Sequence, residues 1–138
     1  RPEDVIVKFP IQTIENPNDQ LKYKTENSTI LIFWSGIQMF AGLGLMFHLF
    51  FVSSSVSISF TFLYALFLMI HVFSYTSLLD GKKFAVYSEG IKFLSGLTLL
   101  GINNLTWFGS NVLFSIIIGV YLIMSFCVTL IFLKTENS

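Results

Sequence analysis

Four long apolar runs constrain the fold of this chain more than any other feature of its sequence. They extend from Ile30 to Val52, from Val56 to Leu79, from Phe84 to Ile102 and from Val112 to Leu133. A helix needs about 20 apolar residues to cross the roughly 30 Å hydrocarbon core of a bilayer. Three runs supply these residues without a charge, and the third carries Glu89 and Lys92 near its start. The sequence therefore predicts an all-α integral membrane protein with about four transmembrane helices, at about residues 30–52, 56–79, 84–103 and 111–133.

Composition supports this fold class and argues against several functions. Of the 138 residues, 54% are hydrophobic and only 12% are charged, which is not the composition of a soluble globular domain. The formal net charge is zero, so nucleic acid is not an expected partner. The single cysteine, Cys127, lies inside the fourth apolar run and has no second cysteine to pair with. The sequence has no phosphate-binding glycine loop and no G-x-S-x-G nucleophile motif. By itself the chain is predicted to be non-catalytic.

Residues 1–29 differ in composition from the rest of the chain. They hold all three prolines and nine of the sixteen charged residues. Because proline fixes φ and removes a backbone donor, it blocks extended helix growth. We therefore expect a membrane-surface arm or connector of irregular structure. The chain also begins at Arg1 without a methionine, which suggests a processed protein or a piece of a longer one.

The basic residues predict an orientation in the membrane. They flank the apolar runs on one side only: Arg1, Lys8, Lys22 and Lys24 precede the first helix, Lys82 and Lys83 join the second to the third, and Lys134 follows the fourth. The positive-inside rule then places both termini and the middle loop in the cytoplasm. Trp34, Tyr75 and Tyr87 are expected at the inner membrane boundary and Trp107 at the outer one. The membrane would be a bacterial inner membrane or the endoplasmic reticulum.

The two histidines, His48 and His71, are the first candidates for metal ligands. In the predicted topology His48 lies near the outer end of the first helix and His71 nearer the inner end of the second. At a rise of 1.5 Å per residue, their depths differ by about 15 Å, which is too far for one metal. We interpret both as structural imidazoles bonded to a backbone carbonyl or a hydroxyl, and predict no metal site.

Glu89 and Lys92 are the charged residues inside a predicted transmembrane helix. Their i, i+3 spacing allows an ion pair, and an ionisable pair at membrane depth is a functional hypothesis by default. Both also lie near the helix start, so their side chains can snorkel to the headgroups. Two interpretations stay open: a structural ion pair that ties the third helix to the others, or contact with a lipid headgroup or cofactor edge. Asp80, Lys82 and Lys83 are interpreted as the charges of the inner loop.

The stretch from Ser74 to Lys92 also resembles part of a known family. It reads Ser74-Tyr-Thr-Ser-Leu-Leu-Asp-Gly-Lys-Lys-Phe-Ala, followed by Glu89 and Lys92. This resembles the C-terminal region of the sterol desaturase and fatty acid hydroxylase superfamily, nearest its alkylglycerol monooxygenase-like branch. There, S-L-x-x-L-L-(D/E)-x-(K/R)-x-x-A, a Glu and a basic residue follow two further membrane helices. The resemblance implies a membrane-embedded lipid oxygenase or desaturase with a diiron centre, and a pterin as electron source in that branch.

The chain departs from this family where catalysis is concerned. It lacks the H-x-x-x-H and H-x-x-H-H boxes that hold the diiron centre, so no catalytic residue can be carried over. We therefore expect the non-catalytic C-terminal membrane region of a lipid-modifying oxidoreductase, in contact with membrane lipid and with a catalytic membrane region. The alternative is a small four-helix accessory subunit of a larger membrane complex with a structural role. In either case the glycines of the apolar runs are expected to allow close helix packing. They are Gly36, Gly42, Gly44, Gly96, Gly101 and Gly119.

Overall fold

The computed structural model describes residues 27–81 and 84–136, and these residues form four α-helices and no strand. The helices are α1 (Thr29–Val52), α2 (Ile58–Leu79), α3 (Ala85–Ile102) and α4 (Val112–Glu136). The all-α prediction is confirmed, and α4 continues past the predicted end at Leu133. Most of the predicted arm, residues 1–26, lies outside the described residues, and so do Lys82 and Lys83.

Polar side chains begin three of the four helices. The side chains of Ser28, Ser57 and Asn111 each accept a hydrogen bond from the backbone N–H three residues later, at 3.2, 3.4 and 2.8 Å respectively. These bonds satisfy N–H groups that have no partner within the first turn of a helix. Three of the helices therefore begin next to a serine or asparagine that caps the first turn.

Neighbouring helices run antiparallel. The side-chain amide of Asn27, just before α1, donates to the carbonyl of Leu79 at the end of α2 at 2.8 Å. Towards the other end, His48 Nδ1 of α1 lies 3.1 Å from the Tyr64 hydroxyl near the start of α2. The ring of His48 also stacks on Phe114, near the start of α4, at 4.8 Å between centroids. With short connections between α1 and α2 and between α2 and α3, the four helices form an up-down-up-down bundle.

Aromatic rings fill the half of the bundle next to the α3–α4 connection. Tyr64, Phe67, Trp107 and Phe108 are all at most 1% exposed. Trp107 lies edge-on to Tyr64 and Phe67, with centroids 5.3 and 5.1 Å apart, and Phe108 stacks on Tyr64 at 4.5 Å. The Trp107 ring is thus buried inside the bundle at the end formed by the α3–α4 connection, and its place at the outer membrane boundary stays a prediction. Edge-on contacts of this kind add to the stabilisation that burial of a large aromatic ring provides.

The tightly turned α3–α4 connection inserts two of these rings, those of Trp107 and Phe108, into the bundle. Asn104, Leu105 and Phe108 adopt left-handed backbone, with φ of 55°, 60° and 47°. For residues other than glycine this conformation is unfavourable by roughly 1–2 kcal/mol each. The backbone N–H of Trp107 donates to Ser115 Oγ at 2.8 Å, which fixes the turned chain on α4. Burial of the Trp107 and Phe108 rings offsets the strain, since each large ring contributes several kcal/mol.

Among the described residues, three helices are long and apolar enough to cross a membrane: Thr29–Val52, Ile58–Leu79 and Val112–Phe132. Their outer faces expose large apolar side chains, such as Phe33, Phe47, Phe62 and Ile131. Apolar surface of this extent needs lipid or protein to cover it. The fold is thus that of a membrane protein. Helix α3 has 18 residues, or about 27 Å of helix, and carries two charges. That it also crosses the membrane stays a prediction.

The glycines differ in their surroundings. A Cβ on Gly96 would lie 2.5 Å from Leu122 Cδ1, and one on Gly42 would lie 3.0 Å from His71 Cδ2. At these two positions the close-packing prediction is correct. Gly119 has only an ordinary contact at 4.0 Å. Within the bundle the prediction fails for three glycines whose Cβ would meet nothing within 4 Å: Gly36, Gly44 and Gly101.

Candidate functional site: a buried polar cluster

The two charged residues of α3 lie in the interior of the bundle. Glu89 is 1% exposed and Lys92 is 0% exposed, and Lys92 Nζ lies 2.6 Å from Glu89 Oε1. Their i, i+3 spacing makes this pair possible within one helix. The structure does not use the possibility that these side chains snorkel to the headgroups, because both point into the bundle. The pair therefore has to be satisfied by the protein.

Lys92 also binds two neighbouring helices. Its ammonium donates to Gln38 Oε1 of α1 at 2.9 Å and to Ser125 Oγ of α4 at 2.7 Å. The Ser125 hydroxyl in turn donates to Gln38 Oε1 at 3.2 Å. With Glu89, these contacts give each of the three ammonium protons an acceptor. The ring of Tyr121 lies 5.6 Å from Nζ, within the range of a cation–π interaction.

The second oxygen of the carboxylate joins α2 to the same network. The Ser74 hydroxyl donates to Glu89 Oε2, and Ser74 is itself 1% exposed. We call Gln38, Ser74, Glu89, Lys92 and Ser125 the polar cluster. Each of the four helices supplies at least one member, so the cluster connects the whole bundle through charge-assisted hydrogen bonds.

The histidines occupy different parts of the bundle. His71 Nε2 lies 2.9 Å from the carbonyl oxygen of Gln38, so this nitrogen carries the proton and donates. Its ring contacts that of Tyr121, with centroids 5.9 Å apart. His48 pairs instead with the Tyr64 hydroxyl, away from the polar cluster. The two partners are a carbonyl and a hydroxyl, the kinds of partner expected of structural imidazoles.

The charges of the α2–α3 connection, which we predict to be an inner loop, are only partly described. Asp80 follows α2, where its backbone N–H bonds the Thr76 carbonyl at 3.0 Å. Gly81 then adopts φ of 61°, a left-handed conformation that ends a helix and that glycine adopts without strain. Lys82 and Lys83 lie outside the described residues.

The described residues do not fit a diiron centre. Within residues 27–81 and 84–136, no group of three or more His, Cys, Asp or Glu side chains is placed to hold a metal ion. Glu89 is the buried acidic residue in this part of the chain, and both of its oxygens contact other side chains. A diiron site needs several carboxylate and imidazole ligands. The polar cluster offers one carboxylate and no imidazole, so it does not supply such a ligand set.

The chemistry of the polar cluster is that of a specific internal clamp. Removing water from two charges is unfavourable by several kcal/mol per ion, and the ion pair with its extra hydrogen bonds offsets this. Any slip of one helix by a turn would separate Lys92 from Gln38 or Ser125 and leave a charge without partners. The polar cluster therefore selects one arrangement of the four helices.

Sequence reasoning missed three members of the polar cluster: Gln38, Ser74 and Ser125. Gln38 had a detectable signal, because a glutamine inside a long apolar run is unfavourable in lipid and predicts a buried partner. The serines carried no comparable signal, since serine is common in membrane helices and often bonds its own backbone.

No known protein family, curated protein or solved structure matches this chain. The resemblance to the sterol desaturase and fatty acid hydroxylase superfamily therefore rests on the residues from Ser74 to Lys92 and stays a prediction.

Proposed function

We propose that this chain is a non-catalytic membrane region that packs against the iron-dependent catalytic region of a lipid-modifying oxidoreductase, of the fatty acid hydroxylase and sterol desaturase type. One observation carries the proposal. The residues that carry the resemblance are the ones that organise the bundle: Asp80 follows α2, and Glu89 and Lys92 connect all four helices. Such a pattern is what a scaffold needs to keep when catalysis lies elsewhere.

The scaffold role follows from the position of these residues. The polar cluster fixes the four helices relative to one another, so the outer faces form one rigid apolar surface. A catalytic membrane region and lipid acyl chains are the partners that such a surface fits. The role of this chain is then to hold the catalytic region in its active arrangement, while the diiron centre and any pterin belong to that region.

The test begins with the encoding gene. We expect histidine-box sequence immediately upstream of Arg1, and its absence refutes the proposal. Where it is present, the complete protein is expressed in membranes, and bound iron and oxygen-dependent conversion of an alkylglycerol lipid are measured. Lys92→Met is expected to lower the amount of iron-loaded enzyme severalfold, because the scaffold loses its clamp. The KM for lipid in the surviving fraction should not change.

A matched variant separates the scaffold from general damage. Thr98 of α3 is exposed and donates only to the Leu94 carbonyl of its own helix, at 2.8 Å. Thr98→Val is expected to leave both iron content and turnover unchanged. If the upstream sequence has no histidine boxes and the chain purifies with other membrane subunits, an accessory subunit with a structural role replaces this proposal.

A further inference from the structure

Unpartnered polar atoms concentrate where α1 faces α4. On α1 these atoms are Ser35 Oγ and Gln38 Nε2, and on α4 they are Tyr121 Oη and Thr129 Oγ1. Ser35, Gln38 and Thr129 are at most 2% exposed. Among the residues that the structure describes, none of these four atoms has a protein hydrogen-bond partner. We call this region, which also includes Ser125, the α1–α4 seam.

These atoms are stacked in successive levels along the bundle. The hydrogen bond between Ser125 and Gln38 defines the middle level. Ser35 lies about one turn before Gln38 in α1, and Thr129 lies about one turn after Ser125 in α4. Because the two helices are antiparallel, these two residues share the next level. Tyr121 lies one turn before Ser125 in α4, on the opposite side of the middle level. The α1–α4 seam is thus a continuous polar column.

His71 extends this column from α2. Its ring packs on Gly42, where an added Cβ would lie 3.1 Å from Nε2, and it contacts the ring of Tyr121. While Nε2 bonds the Gln38 carbonyl, Nδ1 has no protein partner among the described residues. The level of Tyr121 therefore holds two unpartnered polar atoms from different helices.

Such a concentration of unpartnered atoms needs a ligand. Buried polar groups in folded proteins are almost always hydrogen-bonded, and lipid offers them no partner. Internal water is the usual solution, and a buried water makes about three hydrogen bonds to otherwise unsatisfied groups. The unpartnered atoms of the α1–α4 seam include both donors and acceptors, which water can serve at once and a simple cation or anion cannot.

We infer that internal water molecules occupy the α1–α4 seam and hydrogen bond Ser35, Gln38 and Thr129, with Tyr121 and His71 at the far level. This water site lies beside the Glu89–Lys92 ion pair, because Lys92 donates to Gln38 and Ser125 of the same seam. It does not depend on the proposed function, because its support is the set of unpartnered atoms alone.

Nuclear magnetic resonance tests the inference on the unmodified chain. The ¹⁵N-labelled protein is placed in lipid nanodiscs, and the Gln38 side-chain amide signal is identified by its loss in Gln38→Met. We expect water cross-peaks on the two Gln38 Hε protons. The backbone N–H of Leu122, a buried residue within α4, is the control and should show none. If Gln38 shows no water cross-peak, the inference is overturned.

A pair of isosteric variants gives an independent test with opposite signs. Thr129→Val removes a hydroxyl that bonds water in our proposal, so the thermal midpoint should fall by roughly 3 °C. If that hydroxyl were buried without any partner, its removal would raise the midpoint. A rise or no change therefore overturns the inference. Thr98→Val, at an exposed threonine of α3, is the matched control and should leave the midpoint unchanged.

Discussion

Replacing Lys92 with methionine tests the polar cluster most directly. Methionine keeps a flexible apolar stem of similar length, so the change removes the ammonium and little packing volume. In the native bundle that ammonium contacts Glu89, Gln38 and Ser125 at 2.6, 2.9 and 2.7 Å. After the substitution the Glu89 carboxylate keeps only the hydrogen bond from Ser74.

The expected loss of stability is large. Removing one partner of a buried ion pair is unfavourable by about 3–5 kcal/mol, because the remaining charge is left in a medium of low polarity. A typical domain has a free energy of unfolding of about 5–15 kcal/mol, so Lys92→Met removes a substantial part of the total stability. Adding Glu89→Gln removes the uncompensated charge. The double variant should therefore be at least about 2 kcal/mol more stable than Lys92→Met alone.

Unfolding in detergent micelles measures these differences. Sodium dodecyl sulfate is titrated into the chain in a mild detergent, and helix content is followed by circular dichroism. The emission of Trp107 is followed in parallel, in a Trp34→Phe background. Because Trp107 lies in the half of the bundle away from the polar cluster, coincident transitions show that the whole bundle unfolds.

Either of two results would contradict this reasoning: a small effect of Lys92→Met, or additive effects of the two substitutions. If Lys92→Met lowers the free energy of unfolding by less than about 1 kcal/mol, the ion pair does not stabilise the bundle in the way that its geometry indicates. The same conclusion follows if the double variant loses the sum of the two single losses, since the two charges would then be energetically independent.

Three further predictions concern packing and backbone strain. Gly96→Ala should lower the free energy of unfolding by about 1–3 kcal/mol because the new Cβ collides with Leu122, while Gly101→Ala, which meets open space, should not lower it; both are compared by thermal midpoint. Trp107→Ala should lose about 3–5 kcal/mol in the same unfolding assay, and a loss under about 1 kcal/mol contradicts its burial. Leu105→Gly should raise the midpoint by relieving left-handed backbone at an exposed residue, and a lowered midpoint speaks against strain there.

Several parts of the bundle could be predicted without a structure. Ser28 precedes an apolar run, Ser57 lies at the start of another, and Gly81 comes just after that run, so helix ends near these positions are readable from sequence. The i, i+3 spacing of Glu89 and Lys92 showed that they could pair, as they do in the structure. The burial of the Trp107 ring did not follow, because a tryptophan between two apolar runs suits a membrane interface as well as a buried core.

The sequence by itself determined that this chain forms apolar helices at membrane length, because each run is long enough and backbone groups in lipid have to bond within a helix. Which face of each helix is buried was decided only by tertiary structure. In α1, α2 and α4 apolar residues lie on every side, so hydrophobicity does not mark an inward face. The inward face of each helix is set instead by a few polar side chains, since Lys92 reaches its partners only when Gln38 and Ser125 face the same interior.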